Sequence, residues 1–160
     1  MTRAHQVELR FYEESEFDLA CQIRGIENSE ARIRFEKAFR NPGQWVDEYL
    51  HLALVVDGKL IGDLQLRHCD HTMPPGVLHL GIDIAENARG KGFGTQALTL
   101  ASNWAFQNGY HRIEGSTEVE NIAMKRAFEK ANWTFEGTLH NLFKVDGIGR
   151  DYLSFAKTNL

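Results

Sequence analysis

Gly90, Gly92 and Gly94 alternate with Lys91 and Phe93 directly after Arg89, and that spacing has chemical use if a helix begins there. The first turn of a helix has unpaired backbone N–H groups and the positive end of the macrodipole, and glycines let a ligand approach the main chain closely. Such a junction holds anions, phosphate above all. A second group of residues has proton-transfer chemistry. His79 has the ordinary pKa of a base near neutral pH, and Glu118, Glu120 and His140 are further candidates. Beside each stands a plainer reading: a hydrogen-bonded histidine on a half-buried strand, or a solvated strand end. His68, Cys69, Asp70 and His71 are metal-capable types, but consecutive residues of one loop rarely make a tetrahedral site without a distant second pair, so no metal is expected.

The elements around the glycines fix what they can bind. "VLHLGIDIA" (residues 77–85) puts Leu78, Leu80, Ile82 and Ile84 on one side and His79, Gly81 and Asp83 on the other, the period of a strand. Gly81, having no side chain, is expected to leave room for a substrate beside His79. After the loop, Ala97, Leu98, Leu100, Ala101, Trp104 and Ala105 recur at helical spacing, and Gly109 stands where a helix stops. A Walker loop is excluded, because Gly90-Lys91 is followed by Gly92 and position 85 is Ala. Gly92 to Ala97 satisfies G-x-G-x-x-A, with Glu118 at a distance suited to a ribose, but a dinucleotide fingerprint leaves its strand directly, and here Glu86 to Lys91 intervenes. The aromatic set Trp104, Phe106, Tyr110, Phe128 and Trp133 reads as core.

Arg89 to Gly94 reads R-x-x-G-x-G, and with it the sequence resembles the GCN5-related N-acetyltransferases (GNAT). "RIEGSTEVEN" (112–121) is similar to that family's next parallel strand, ending in the asparagine that opens a helix. "NIAMKRAFEKANWTFEGTL" (121–139) and "GIGRDYLSFAK" (147–157) are similar to the segments that follow, with Asp151 where the ribosomal-protein and polyamine branch has an aspartate. The match is close from about Leu52 onward. It implies an acetyl-coenzyme A site: the pantetheine arm paired to the backbone of Ile82 and Ile84, and the pyrophosphate on the N–H groups of Arg89, Gly90, Lys91, Gly92, Phe93, Gly94 and Thr95. Asn121 is implied further along the arm, and Lys91 and Arg126 are placed to meet phosphate charge. The implied reaction is direct acetyl transfer from the thioester to a primary amine in a ternary complex, with a backbone N–H near Ile82 for the oxyanion and His79 or Glu118 as catalytic residues. The acceptor class stays open among a protein N-terminus, a polyamine, an antibiotic and a small metabolite.

Three positions depart from the family's pattern. Where relatives have a proton-donating tyrosine this chain has Phe128, where a branch has serine it has Met124, and a glutamate base falls by counting at Phe143. A non-catalytic acyl-coenzyme A-binding or sensing module is therefore a second reading, and a dinucleotide-binding oxidoreductase a third.

The rest of the chain agrees with an α/β domain spanning residues 1–160. Val7 to Phe11 alternates as a strand, two helical patterns follow, and His51 to Arg67 is a hairpin about Asp57-Gly58. The order predicts a GNAT-like mixed, mostly antiparallel sheet of six or seven strands, with a central splayed parallel pair and about four helices. With 42% hydrophobic residues, no long apolar run and a net charge of −4, neither a membrane nor nucleic acid is an expected partner. Cys21 and Cys69 form no C-x-x-C pair, so the expected compartment is the cytoplasm; a homodimer is compatible with the sequence.

Overall fold

A computed structural model describes residues 4–160. Its elements in chain order are β1 (Val7–Arg10), α1 (Phe17–Arg24), α2 (Ser29–Phe39), β2 (Tyr49–Val56), β3 (Lys59–Arg67), β4 (Val77–Ile84), α3 (Phe93–Gln107), β5 (Arg112–Glu118), α4 (Ile122–Lys130), β6 (Thr134–Val145) and β7 (Ile148–Thr158). Local signals account for most of these limits. Asn28 and Asn121 cap α2 and α4 by accepting the N–H of Ala31 and Met124, satisfying donors that a helix start leaves free. Asp57 and Gly58 both take positive φ, 50° and 76°, the geometry that a two-residue hairpin turn demands.

The strands form one sheet in the order β1-β2-β3-β4-β5-β7-β6, antiparallel except for β4 beside β5. Period-two alternation gives the sheet two different faces. One presents Leu52, Leu64, Leu66, Leu78, Leu80 and Ile113 to Ala97, Leu98 and Ala101 of α3 and to Phe128 of α4, the larger core. The other buries Ala53 and Val55 against Ala20 and Cys21 of α1 and Phe35 and Phe39 of α2. Phe128 is 1% exposed and stacks on Phe155 at 4.6 Å, with Trp133 edge-on to it. A Cβ at Gly115 would come within 3.2 Å of the Phe128 ring, so the glycine makes space for the aromatic. Trp104, Phe106 and Tyr110 pack at the rim of the same core, as the sequence indicated.

Candidate active site

The parallel pair is joined only at its start. β4 and β5 share the rungs Val77–Arg112, Leu78–Ile113 and His79–Glu114, and beyond His79 neither strand is paired with the other, although β4 runs on to Ile84 and β5 to Glu118. The splay predicted from sequence is thus present, and its apex lies at His79. The direction of the open β4 edge follows from one hydrogen bond. Ala85 donates its N–H to the Ile61 carbonyl on the β3 side at 2.8 Å. Backbone groups alternate sides along a strand, so the N–H and C=O of Ile82 and Ile84 point the opposite way, into the gap.

At the open end of that gap lies the glycine loop. A 3-10 turn over Glu86–Ala88 separates it from β4, which is why the dinucleotide spacing fails here. Gly90 and Gly92 take φ of 74° and 81°, and beyond the adjoining residues no protein atom lies within 4 Å of a Cβ built on either, so their main chain is open to a ligand. Gly92 is the N-cap of α3, and the N–H groups that follow have the unpaired character of a helix start. Gly94 is the second residue of α3, and a Cβ there would meet Ala127 at 3.7 Å, Ile84 at 3.8 Å and Met124 at 3.9 Å. These are ordinary contact distances, so a methyl group would fit against α4. Arg89 sends its Nε back to the Ile84 carbonyl at 2.9 Å and so braces the loop on the strand end. Lys91 and Arg126 are exposed, and Phe93 is buried beneath the loop.

A sequence model of the Acetyltransferase (GNAT) family matches residues 10–133, most of the chain. This chain belongs to the GNAT acetyltransferase family. Among curated proteins it is 30% identical over 117 residues to the "Probable N-acetyltransferase YjcK" of Bacillus subtilis (strain 168), a match covering 71% of this chain and 64% of that one, so the chain spans less than two thirds of that relative's length. Two solved structures illustrate the shared fold. The spermidine/spermine N-acetyltransferase SpeG from Vibrio cholerae has a TM-score of 0.77 at 19% identity, covering 96% of this chain and 92% of that one. A ribosomal-protein-alanine N-acetyltransferase from Brucella melitensis has a TM-score of 0.76 at 18% identity, covering 95% and 99%.

In this GNAT chain the predicted proton-transfer residues do not converge. His79, at the apex, faces Arg67 of β3 and Glu114 of β5 on neighbouring rungs. Burial pushes its pKa below the ordinary 6.5, opposed by Glu114 and assisted by Arg67, so the ring is neutral near pH 7. Glu118 is four residues beyond Glu114, roughly 13 Å along β5, and lies 3.4 Å from Arg150 of β7. It stands beyond the last shared rung of β4 and β5, and not beside His79. His140 and Asp151 pair at 3.1 Å on the β6–β7 hairpin, where the Asn141 N–H also holds the Asp151 carboxylate below its usual pKa. Met124 packs at the core, Phe128 is buried, and Phe143 is exposed edge-on to Tyr152. His68 has both ring nitrogens engaged at 2.8 Å, by the Val77 carbonyl and Asp70.

One expectation is corrected. The space beside Gly81 is not empty: a Cβ there would lie 2.5 Å from Gln65 Oε1, because the Gln65 side chain of β3 crosses over the glycine. Gln65 belongs to a polar cluster that sequence reading missed. Its Nε2 donates to Asp63 at 2.5 Å and to Asp83 at 2.7 Å, while Asp63, wholly buried, also accepts from the Tyr12 hydroxyl at 2.5 Å and lies 3.2 Å from His51 Nδ1. Arg24 Nε stands 3.3 Å from Asp63 and 3.9 Å from Asp83. Burial, with the Asp63 charge adding to it, raises the Tyr12 phenol far above its usual value, so it serves as a donor. Burial likewise raises Asp83 above the ordinary carboxylate value against the opposing Gln65 hydrogen bond. Asp63 falls on the polar phase of the β3 alternation with Gln65 and Arg67, so the strand's pattern gave no sign that it is buried.

Proposed function

We propose that the chain is an acetyl-coenzyme A-dependent N-acetyltransferase that transfers the acetyl group directly to a primary amine. The observation that carries this reading is the unpaired stretch of β4 and β5 beyond His79 and Glu114, with the glycine loop at its open end. Its parts suit the successive regions of the cosubstrate. The loop from Arg89 to Thr95 receives the pyrophosphate on backbone N–H groups, and the edge at Ile82 and Ile84, where Arg89 Nε already holds the Ile84 carbonyl, pairs with the amide-bearing arm. Asn121 spends its side-chain oxygen on capping α4 and has its amide N–H left for the arm. In this reading the thioester end of the arm lies toward the apex beside His79, where the paired stretch of β4 and β5 ends.

Acyl transfer then needs three things from the chain. The amine nitrogen attacks the thioester carbon only when uncharged, and neutral His79 accepts its proton, directly or through a water. The carbonyl oxygen becomes an oxyanion and is met by a backbone N–H of β4 near Ile82, already oriented and costing no reorganisation. The carbon–sulfur bond breaks, and the thiolate takes its proton from solvent, since Phe128 has none to give. Glu118, held by Arg150 at the rim, is the second choice as base.

The burial of Phe128 and the apolar Met124 favour one alternative, a module that binds acyl-coenzyme A without turning it over. Calorimetry with acetyl-coenzyme A, joined to detection of free thiol across an amine series, separates the two. Micromolar binding with thiol release that depends on amine is expected. Binding without release in any amine establishes the module, and no binding ends both readings.

A further inference from the structure

The polar cluster beside Asp83 is also the wall of a cavity that the transfer chemistry leaves unused. A cavity of about 500 Å³ opens between α2 and the β2–β3 strands, and Arg24, Arg34, Phe35, Tyr49, His51 and Gln65 are among the residues lining it. Register ties it to the gap between β4 and β5. His51 pairs with Gln65 and Gln65 with Gly81, one row across three strands, so Gln65 lies between the cavity and the strand that borders the gap.

Arg24 decides what chemistry the cavity takes. Its guanidinium lies over the Phe35 ring at 4.7 Å, which holds the plane in place. Asp63 and Asp83 approach it closest through Nε, yet Nε is buried without a hydrogen-bond partner, and none of the protein's hydrogen bonds among the described residues uses any Arg24 donor. A half-buried guanidinium with its donors unspent is a fork suited to a carboxylate. Arg34 adds a second cation at the cavity wall, only loosely engaged by Glu30 at 3.6 Å. Asp47, the acidic residue of the lining, is 3.3 Å from Lys37. Tyr49 and Phe35 supply apolar walls, with His51 between them at 5.9 and 5.2 Å. Asp63 and Asp83 offset the Arg24 charge from the Nε side, so what the cavity offers an anion is the rest of the guanidinium fork with Arg34 beside it, while Gln65 and Asp83 stand toward the gap.

We infer that the acceptor is an amine that also carries a carboxylate, with an apolar or aromatic body between or beside the two groups, as in an amino acid or a short peptide with a free C-terminus. This rests on the acetyltransferase reading for its chemistry, but the Arg24 site is testable without turnover. Coenzyme A-loaded protein is titrated calorimetrically with phenylalanine, phenylalanine amide, a phenylalanine-containing dipeptide and its amide, and spermidine. In parallel, thiol release is followed with the same amines. The acids are expected to bind at least tenfold more tightly than their amides and to be turned over with at least tenfold higher kcat/KM. Phenylalanine against the dipeptide identifies which source of carboxylate fits. Arg24→Gln, and Arg24→Lys as the variant that keeps the charge facing Asp63, should both bring the acid-to-amide ratio close to one. Equal rates for acid and amide, or spermidine as the best acceptor, would overturn the carboxylate site and leave the transferase intact. Arg24-dependent binding of acids with no thiol release from any amine would overturn the transferase and keep the site.

Discussion

His79 stands where the sheet stops closing, and its surroundings make its role measurable. The ring is held neutral by burial, so it can receive a proton at neutral pH, and the same shift has a consequence for stability. A group whose folded-state pKa is depressed contributes stability that is present above its unfolded value and is lost as pH falls through the folded one. For His79 the loss begins below 6.5. His79→Gln should therefore soften the fall in thermal midpoint on acidification below that point, and this outcome does not depend on catalysis. If the histidine is also the base, the substitution lowers kcat by roughly tenfold or more, with acetyl-coenzyme A affinity nearly unchanged, and removes the acid limb from the rate profile. A variant with parental kcat and an unaltered rate profile would confine His79 to the stability effect and move the base to Glu118.

The elements that place these residues differ in how far the sequence announces them. The β4 alternation, the asparagine caps of α2 and α4 and the Asp57-Gly58 turn are local patterns, and each produced the element it indicates. Gln65 over Gly81, and Arg24 between Asp63 and Asp83, depend on how distant segments pair, which no window of sequence contains. The glycine loop falls between these cases. R-x-x-G-x-G marked the loop, but which glycines need a left-handed backbone and which sit in ordinary helix geometry emerged only from φ. That division yields a contrast between two positions. Gly92→Glu keeps open space around its Cβ but takes on a strained positive φ, at a cost of roughly 1–2 kcal/mol, and puts a negative side chain where phosphate is proposed to bind. It should remain folded and lose coenzyme A binding. Gly94→Ala meets only ordinary contacts at 3.7–3.9 Å within a helix, so it should fold with equal or higher stability, gaining up to about 1 kcal/mol. Circular dichroism melts with calorimetry on the same samples test the pair; undiminished affinity in folded Gly92→Glu removes the loop from the proposed site.

Across the whole molecule, the placement of the thiols bears on whether transfer passes through an acetylated enzyme. Cys21 lies on α1 with 3% exposure in the core between the helices and the β2–β3 face, and burial raises its thiol pKa, the opposite of an activated nucleophile. Cys69 is 6% exposed in the loop before β4, upstream of Val77 and at the closed end of the parallel pair. With the thioester proposed at the apex of the gap, neither buried cysteine is placed to attack it, and the proposed direct transfer has the amine enter while the cosubstrate is bound. Kinetics should show intersecting lines in a double-reciprocal plot, not the parallel lines of a two-step exchange. The double variant Cys21→Ala, Cys69→Ala removes two small buried side chains at a cost of roughly 1 kcal/mol each, and at moderate temperature it should retain parental kcat. Intact-mass spectrometry after incubation with acetyl-coenzyme A alone should find no added 42 Da group, roughly the mass of an acetyl replacing a proton. An acetyl adduct in the parent that forms and discharges at the rate of turnover, and is missing in the double variant, would replace direct transfer with a covalent route.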